Sequence, residues 1–442
     1  MNISWIKAAE LLEHELRQRR EEGRPLEGVE AEWAAVTAKF QDAGQRESQA
    51  VNLWRQLEKS SPTAGTASAM SLEGIRAACP NRRQRVALSG SGRAALREKI
   101  AGGWFGRAAG CLLGKPVEKI SREGIRELLE SNRTWPLQDY VTAIGIPDAL
   151  KAKYPWNRHS GKESLRENIM CMPEDDDMNY PMLNLSVLER RGDAFETEDV
   201  AAAWLELLPV LSTFTAERVA YRNLLLGFRP PGTANHRNPY REWIGAQIRA
   251  DVWGWVSPGN PERAAEFAYR DASLSHTGNG VFGSMFYAAT LAAAFATSDV
   301  RDAVAIGLSQ IPGDSRLADA VRFSLGLPKR EPEWERAVDM IYARYGSYHW
   351  VHSVNNAALV VAALMYAEGD FGQAVCNVVM GGWDTDSNGA TVGSIAGVLS
   401  GFGALPKRWI DPLHNRVRSS MKGFDGSSLS DLADRTFALV HG

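Results

Sequence analysis

Two short acidic segments carry most of the chemistry that this sequence offers. The first segment has four consecutive carboxylates, Glu174, Asp175, Asp176 and Asp177. One or two acids would be enough to complement the dipole of a following helix, but four apolar-flanked acids repel one another unless cations neutralise them. Hard divalent ions prefer oxygen ligands, so the segment predicts a metal site.

The second segment, residues 381–397, places three candidate oxygen ligands within four residues. They are Asp384, Asp386 and Ser387. Glycines before them allow a tight turn, and glycines repeated every four residues after them predict a helix that neighbours approach closely. Helix capping by Asp or Ser is the alternative interpretation. A calcium loop of the EF-hand type is excluded because the twelfth position has no glutamate.

Helical periodicity predicts the elements that position these segments. From about residue 93 onward, apolar residues recur at helical spacing, and few segments alternate with period two. Residues 3–22 and 27–41 predict a helical hairpin, and the small polar stretch 60–71 is typical of a linker. We therefore expect an all-α fold, with a helical N-terminal extension over residues 1–92 and one large domain over residues 93–442.

Composition limits the partners and the compartment. The formal net charge is −3 with mixed signs, so we expect neither nucleic acid nor a membrane as a partner. The four cysteines form no CxxC pair and favour a reducing compartment. The N-terminus has no apolar stretch of the signal-peptide type, and we expect a cytoplasmic protein.

Four motifs, in the order in which they occur along the chain, resemble the sequence pattern of the ADP-ribosylglycohydrolase family. Besides the two acidic segments, residues 106–118 read GRAAGCLLGKPVE and residues 274–280 read LSHTGNG. The stretch 352–359, HSVNNAAL, is similar to a bacterial branch of this family. The resemblance covers roughly residues 95–403 and implies an all-α hydrolase of ribosyl glycosidic bonds.

The resemblance also implies two divalent cations, Mg²⁺ or Mn²⁺, held between the acidic segments. The side chains at the family's ligand positions are Glu174, Asp175, Asp176, Asp384, Asp386 and Ser387. Glu118 matches a glutamate that lies near the metals and the scissile bond in some members. We interpret it as the general base or proton shuttle, sharing that role with Asp175.

The middle motif is expected to bind the substrate. The predicted set is His276, Gly278, Asn279 and Gly280. The histidine matches one that lines the family's ADP-ribose cleft, although a lone histidine is more often an ordinary core or surface residue. The glycine-rich turn offers backbone N–H groups to a diphosphate.

The sequence departs from the family pattern at several positions. Glu174 and Asp177 stand where the family has hydroxyl side chains, Ser387 replaces a threonine, and Cys111 replaces an aspartate of the first helix. The added negative charge is expected to tighten metal binding or to change the substrate. Any role of the missing aspartate is absent.

Several functions fit this pattern. The leading hypothesis is removal of ADP-ribose from a modified protein or small molecule. The alternatives are hydrolysis of another N-ribosyl or nucleoside-like compound, and a non-catalytic member that only binds ADP-ribose or serves a structural role. An α-helical terpene synthase would need a second NDxxSxxxE motif, and a phosphohydrolase of the HD type would need a His-Asp pair. Neither motif is present.

Overall fold

The computed structural model describes residues 3–59, 70–79, 81–82, 85–88 and 92–440. In these ranges the chain is helical apart from loops and one small sheet, which confirms the all-α prediction. The helices are α1 (Ala8–Glu21), α2 (Val29–Lys39), α3 (Ala43–Lys59), α4 (Leu72–Ala77), α5 (Arg93–Gly114), α6 (Arg122–Ser131), α7 (Asp148–Lys153), α8 (Asp176–Arg191), α9 (Thr197–Leu207), α10 (Thr215–Leu225), α11 (Gly232–Asn235), α12 (Asp251–Trp255), α13 (Pro261–Ala272), α14 (Gly278–Ala294), α15 (Val300–Leu308), α16 (Arg316–Leu325), α17 (Leu327–Arg330), α18 (Trp334–Tyr345), α19 (Ser353–Tyr366), α20 (Phe371–Met380), α21 (Thr385–Ser400), α22 (Lys407–Ile410) and α23 (Leu429–Ala438). The sheet pairs β1 (Arg416–Val417) antiparallel with β2 (Ser427–Ser428).

An antiparallel pair of buried helices, α5 and α21, lies at the centre of the fold. Four glycines of α5, spaced four residues apart, face the backbone of α21. At one of these contacts, a Cβ placed on Gly110 would lie 1.9 Å from the carbonyl oxygen of Gly389. Side chains are thus excluded from the interface, and the C-terminal end of α5 meets the first turn of α21.

Two segments with helical spacing of apolar residues, 198–226 and 241–250, differ in detail from single α-helices. Residues 198–226 are divided into α9 and α10. Pro209 and a short 3₁₀ turn at Val210–Ser212 separate the two, because proline has no N–H to continue the helical hydrogen bonds. Residues 241–250 contain a 3₁₀ helix at Ile244–Arg249. Most of the predicted linker at 60–71 lies outside the described residues.

The N-terminal extension packs against the large domain through an apolar cluster. Trp33 and Trp54 from α2 and α3 are buried with the apolar face of α1. The cluster continues into the large domain through Tyr240 and Trp243. These aromatic side chains supply the partner surface that the apolar faces of the extension require.

A buried ionic network accompanies that contact. Arg241 of the large domain pairs with Glu15 of α1 and, at 2.8 Å, with Glu22 just beyond it. Gln18 donates at 2.9 Å to Glu242. Charged groups removed from water are tolerated only when they are paired, so the network fixes the orientation of α1 on the domain.

We expect Glu15→Gln to lower the free energy of unfolding by about 2 to 3 kcal/mol, because it weakens the compensation of the buried Arg241 guanidinium. Urea unfolding monitored by tryptophan fluorescence measures this change. The matched control is Glu13→Gln, on the exposed side of the same helix, with an expected change within about 0.5 kcal/mol. Equal effects of the two variants would contradict the structural role of the network.

None of the helices in the described ranges is long and apolar enough to cross a membrane.

Candidate metal and catalytic site

The meeting of α5 with α21 brings distant parts of the sequence together. The hydroxyl of Thr385 donates at 2.7 Å to the carbonyl oxygen of Gly114, the last residue of α5. A Cβ on Gly114 would lie 2.0 Å from the carbonyl oxygen of Thr385. A 3₁₀ turn, Lys115–Val117, follows at once and delivers Glu118 to the second acidic segment.

Three carboxylates converge at this point. Oxygen atoms of Glu118, Asp384 and Asp386 all lie within 4.8 Å of one another. Asp384 stands at the N-cap position of α21, but within the described part of the chain its side chain accepts no capping hydrogen bond. The capping interpretation therefore does not account for the buried carboxylate of this residue.

The first acidic segment meets the second one directly. Asp175 is the N-cap of α8 and accepts a hydrogen bond of 2.9 Å from the backbone N–H of Asp177. The hydroxyl of Ser387, from the second segment, donates at 3.0 Å to the other side of the site, the Asp177 Oδ2 atom. Thus, Asp175, Asp177 and residues 384–387 form one buried cluster.

Two buried basic side chains, which the sequence interpretation had missed, partly neutralise the cluster. The Arg107 guanidinium, fully buried, pairs with Asp177 at 3.0 Å and with Asp251 at 2.8 Å. The ammonium of Lys115 contacts Asp175 and lies 2.8 Å from Asp386. Both residues belong to the apolar helix motif at 106–118. A basic residue at a core position of this motif was the feature that could have revealed them in the sequence.

Acidic groups outnumber the two basic side chains in this cluster, and the pKa values of the acids reflect this imbalance. Burial, together with the carboxylate of Asp386, raises the pKa of Glu118 to about 7. Burial and the neighbouring carboxylates raise the pKa of Asp384 well above its usual value. Burial also opposes ionisation of Asp386, but the charge of Lys115 and the hydrogen bonds from Lys115, Asp384 and the Ser387 N–H together lower the pKa of that carboxyl. Carboxyl groups with raised pKa values are expected where a divalent cation, rather than the single charges of lysine and arginine alone, stabilises the ionised form.

The remaining predicted ligands lie at the edge of this cluster. Glu174 accepts a hydrogen bond of 2.9 Å from the Asn179 amide. The side chain of Asp176 is partly exposed. Loss of hydration and the neighbouring carboxylate of Asp175 nevertheless raise its pKa well above the usual value. Among the residues that the structure describes, neither belongs to the sets of acidic groups close enough to share an ion. Cys111 does lie beside Asp175, but burial raises the pKa of its thiol well above the usual value.

Glu118 has further contacts that orient it. The Asn157 amide donates to its Oε2 atom, and the ammonium of Lys119 lies 3.4 Å from its Oε1 atom. Asn157 is in turn held by the backbone N–H of His159, at 2.7 Å. Sequence reasoning did not find Asn157, because a single asparagine in a polar loop carries no recognisable pattern.

Among the predicted substrate-binding residues, the side chains of His276 and Asn279 are buried and contact other residues of the protein. His276 is 1% exposed, its ring is 2.8 Å from the Ser275 hydroxyl, and burial lowers its pKa well below the usual value. At the start of α14, Glu242 accepts hydrogen bonds from the backbone N–H (2.9 Å) and the side-chain amide (2.7 Å) of Asn279. A carboxylate of the protein itself thus occupies the helix terminus at which we expected a diphosphate. Gly278 and Gly280 pack closely on Glu242 and His276 respectively.

Comparison with known proteins identifies a family and a shared fold. The family model described as ADP-ribosylglycohydrolase matches residues 92–442. An uncharacterized protein of Archaeoglobus fulgidus is 24% identical over 331 residues, which is 73% of this chain and 93% of the relative. A solved structure, an ADP-ribosylglycohydrolase-related protein complex, is 18% identical with a TM-score of 0.51, covering 78% of this chain and 98% of that one.

The likeness to the solved structure shows that this chain shares the all-α fold of an ADP-ribosylglycohydrolase-related protein. The chain belongs to the ADP-ribosylglycohydrolase family, because the family model matches residues 92–442, well over half of the sequence. This confirms the resemblance drawn from the four motifs. The family supports a hydrolase that acts on glycosidic bonds, and the acidic groups could hold metal.

Proposed function

We propose that the protein is a divalent-metal-dependent hydrolase that cleaves a ribosyl glycosidic bond and releases ADP-ribose from a modified protein or small molecule. The observation that carries this proposal is the convergence of three carboxylates, Glu118, Asp384 and Asp386, within 4.8 Å. Glycoside hydrolysis depends on paired carboxyl groups that stabilise a positively charged ring and move a proton. Membership of the family supports the choice of the ribosyl bond.

The residues present fit a hard divalent cation such as Mg²⁺, with Mn²⁺ as the closest substitute. Carboxylate oxygens from Glu118, Asp384 and Asp386 would hold it, and the hydroxyl of Ser387 lies next to them. When bound, such a cation neutralises the carboxylates and orients hydroxyl groups of the ribose. The raised pKa of Asp384 in its absence is consistent with this requirement.

Glu118 is the residue that we assign to proton transfer. Its carboxyl group lies with those of Asp384 and Asp386, and a carboxyl group held at the reacting centre can accept and release a proton. In the reaction, the bond between the anomeric carbon and the leaving group breaks, and its electron pair departs with the leaving group. A water oxygen forms the new bond, Glu118 takes the proton that this water loses, and the same carboxyl group then gives a proton to the leaving group. Asp175 remains a predicted partner in this step.

A panel of substrates tests the proposal. Purified protein with Mg²⁺ is incubated with ADP-ribosylated arginine and serine peptides, ADP-ribosylated small molecules and simple nucleosides, and released ribosyl product is measured by chromatography. We expect release of ADP-ribose from at least one modified substrate. Cleavage of nucleosides alone would favour the N-ribosyl alternative. Binding of ADP-ribose by calorimetry without any cleavage would favour a non-catalytic member and overturn the hydrolase.

Asp384→Asn distinguishes a ligand from a helix cap. As a ligand, the residue loses its anionic charge, so we expect weaker metal binding and a turnover about 100-fold lower, equivalent to about 2.7 kcal/mol of transition-state stabilisation. Without metal, the variant should melt at the same or a higher temperature, because neighbouring carboxylates already raise the pKa of Asp384. Turnover and thermal melting are measured with and without Mg²⁺.

The matched control is Asp370→Asn, at the N-cap of α20. The Asp370 side chain does accept a capping hydrogen bond, 2.7 Å from the backbone N–H of Gln373. Because asparagine caps nearly as well as aspartate, this variant should keep both activity and stability. An Asp384→Asn protein that behaves like this control would remove Asp384 from the metal site.

A further inference from the structure

The ammonium of Lys115 occupies the junction of the two acidic segments. Its Nζ atom contacts Asp175 of the first segment, lies 2.8 Å from Asp386 of the second, and lies 3.8 Å from Glu118. One oxygen from each of three separate chain regions therefore surrounds a single positive charge. In this position a positive charge of the protein neutralises carboxylates of both acidic segments, as a divalent cation held there would do.

The backbone fixes Lys115 in this position. The preceding residue, Gly114, packs on the carbonyl oxygen of Thr385 so closely that no side chain fits between them. The following residue, Pro116, restricts the backbone of the 3₁₀ turn. Lys115 itself is only 5% exposed, so its stem is enclosed and the charged end cannot swing into solvent.

A second basic side chain forms an ion pair with another carboxylate of the first segment. Arg107 donates to both the side chain and the backbone carbonyl of Asp177, at 3.0 and 2.8 Å. Asp175 and Asp177 are thus each paired with a cation of the protein. The remaining set close enough to share an ion is Glu118, Asp384 and Asp386. Lys115 lies beside two of its members, Asp386 and Glu118, whereas Asp384 has no ion pair with a basic side chain among the described residues.

We propose that Lys115 takes the place of one of the two cations, so that this chain binds a single divalent ion, through Glu118, Asp384 and Asp386. The inference rests on the metal dependence in the proposed function and differs from the two-ion expectation of the sequence. Lys115 is then a positioning residue, which holds the two acidic segments together while the one ion serves the substrate.

Titration with Mn²⁺ tests the number of ions. The full-length protein, freed of metal with a chelator, is titrated with Mn²⁺ by calorimetry, and the bound ion is examined by electron paramagnetic resonance. We expect one ion per chain and the six-line spectrum of an isolated Mn²⁺. In Lys115→Met the ammonium is gone while the stem is kept, and we expect a second ion and the broadened spectrum of a coupled pair.

The matched control is Lys119→Met. Lys119 also lies beside Glu118, at 3.4 Å, but its side chain is 57% exposed. Removing this charge leaves the junction of the segments intact, so the control should still bind one isolated Mn²⁺. A second ion in this variant would show that a general loss of positive charge, and not the position of Lys115, sets the stoichiometry.

The wild-type measurement decides the proposal even if a variant fails to fold. Two Mn²⁺ ions per wild-type chain, or none, would overturn it. A folded Lys115→Met protein that binds only one ion would also overturn it, and Lys115→Gln provides a second variant for that comparison. One bound ion without cleavage of any ribosyl substrate would refute the proposed hydrolase and leave the role of Lys115 standing.

Discussion

Replacing Gly110 with alanine is expected to lower the free energy of unfolding by about 3 kcal/mol or more and to weaken metal binding. The new Cβ would lie 1.9 Å from the carbonyl oxygen of Gly389 and 2.5 Å from its carbonyl carbon. Both atoms belong to the backbone of α21, so no side chain can move aside, and overpacking of a filled interior costs one to several kcal/mol. Urea unfolding and Mn²⁺ titration measure the two effects.

Metal binding should fall because the packing of α5 on α21 also positions the acidic residues of the site. Moving α21 away from α5 separates the second acidic segment from Glu118, and the two lie at the same end of this helix pair. The control is Gly283→Ala in α14, where the nearest atoms would lie 3.8 Å from the new Cβ. That variant should keep metal binding and gain up to about 1 kcal/mol, since alanine favours a helix over glycine. Comparable losses in both variants would contradict a special role of the α5–α21 contact.

Replacing Glu118 with glutamine is expected to lower turnover by a factor of roughly 10² to 10⁴, the usual contribution of a general acid or base. Glutamine retains an oxygen that can accept the hydrogen bond from Asn157, so the loop should keep its position. The measurement is the rate of cleavage of the best substrate from the panel. Glu163→Gln, an exposed glutamate on the neighbouring loop, should leave turnover unchanged and serves as the control.

The same variant has a pH-dependent effect on stability without metal. The folded pKa of Glu118 is about 7 against an ordinary value of 4.5, so the folded state binds more protons than the unfolded state between these limits. Its contribution therefore declines as pH rises through that window, by up to about 3 kcal/mol. We expect metal-free Glu118→Gln to be more stable than wild type at pH 8 and similar at pH 4.5. Denaturant titrations at both pH values measure the difference, and a variant less stable at pH 8 would contradict it.

The sequence predicted the class of fold and the two acidic segments because both follow from local patterns. Helical spacing of apolar residues sufficed for most helices from residue 93 onward. Carboxylates flanked by apolar residues, as at Asp175 and Asp384, indicated burial, and buried acids imply a cation. These inferences required no knowledge of which distant segments meet.

The features that the sequence did not predict depend on tertiary contacts. Lys115 lies in an apolar helix motif, and only the packing of Gly114 on α21 turns its ammonium toward the acids. Likewise, nothing local indicated that Glu242 would take the backbone donors at the start of α14. The glycine-rich turn at 277–280 alone favoured an anion from a ligand, whereas the fold supplies one from the protein.

The backbone contact between α5 and α21 also restricts how chain length can change in evolution. An inserted residue in either helix would rotate everything beyond it by about 100° and shift it by about 1.5 Å, so the glycines would no longer face each other. Insertions and deletions should therefore collect outside this pair, in loops and at the chain ends. The segment before residue 92 fits that expectation, because it lies outside the range that the family model matches.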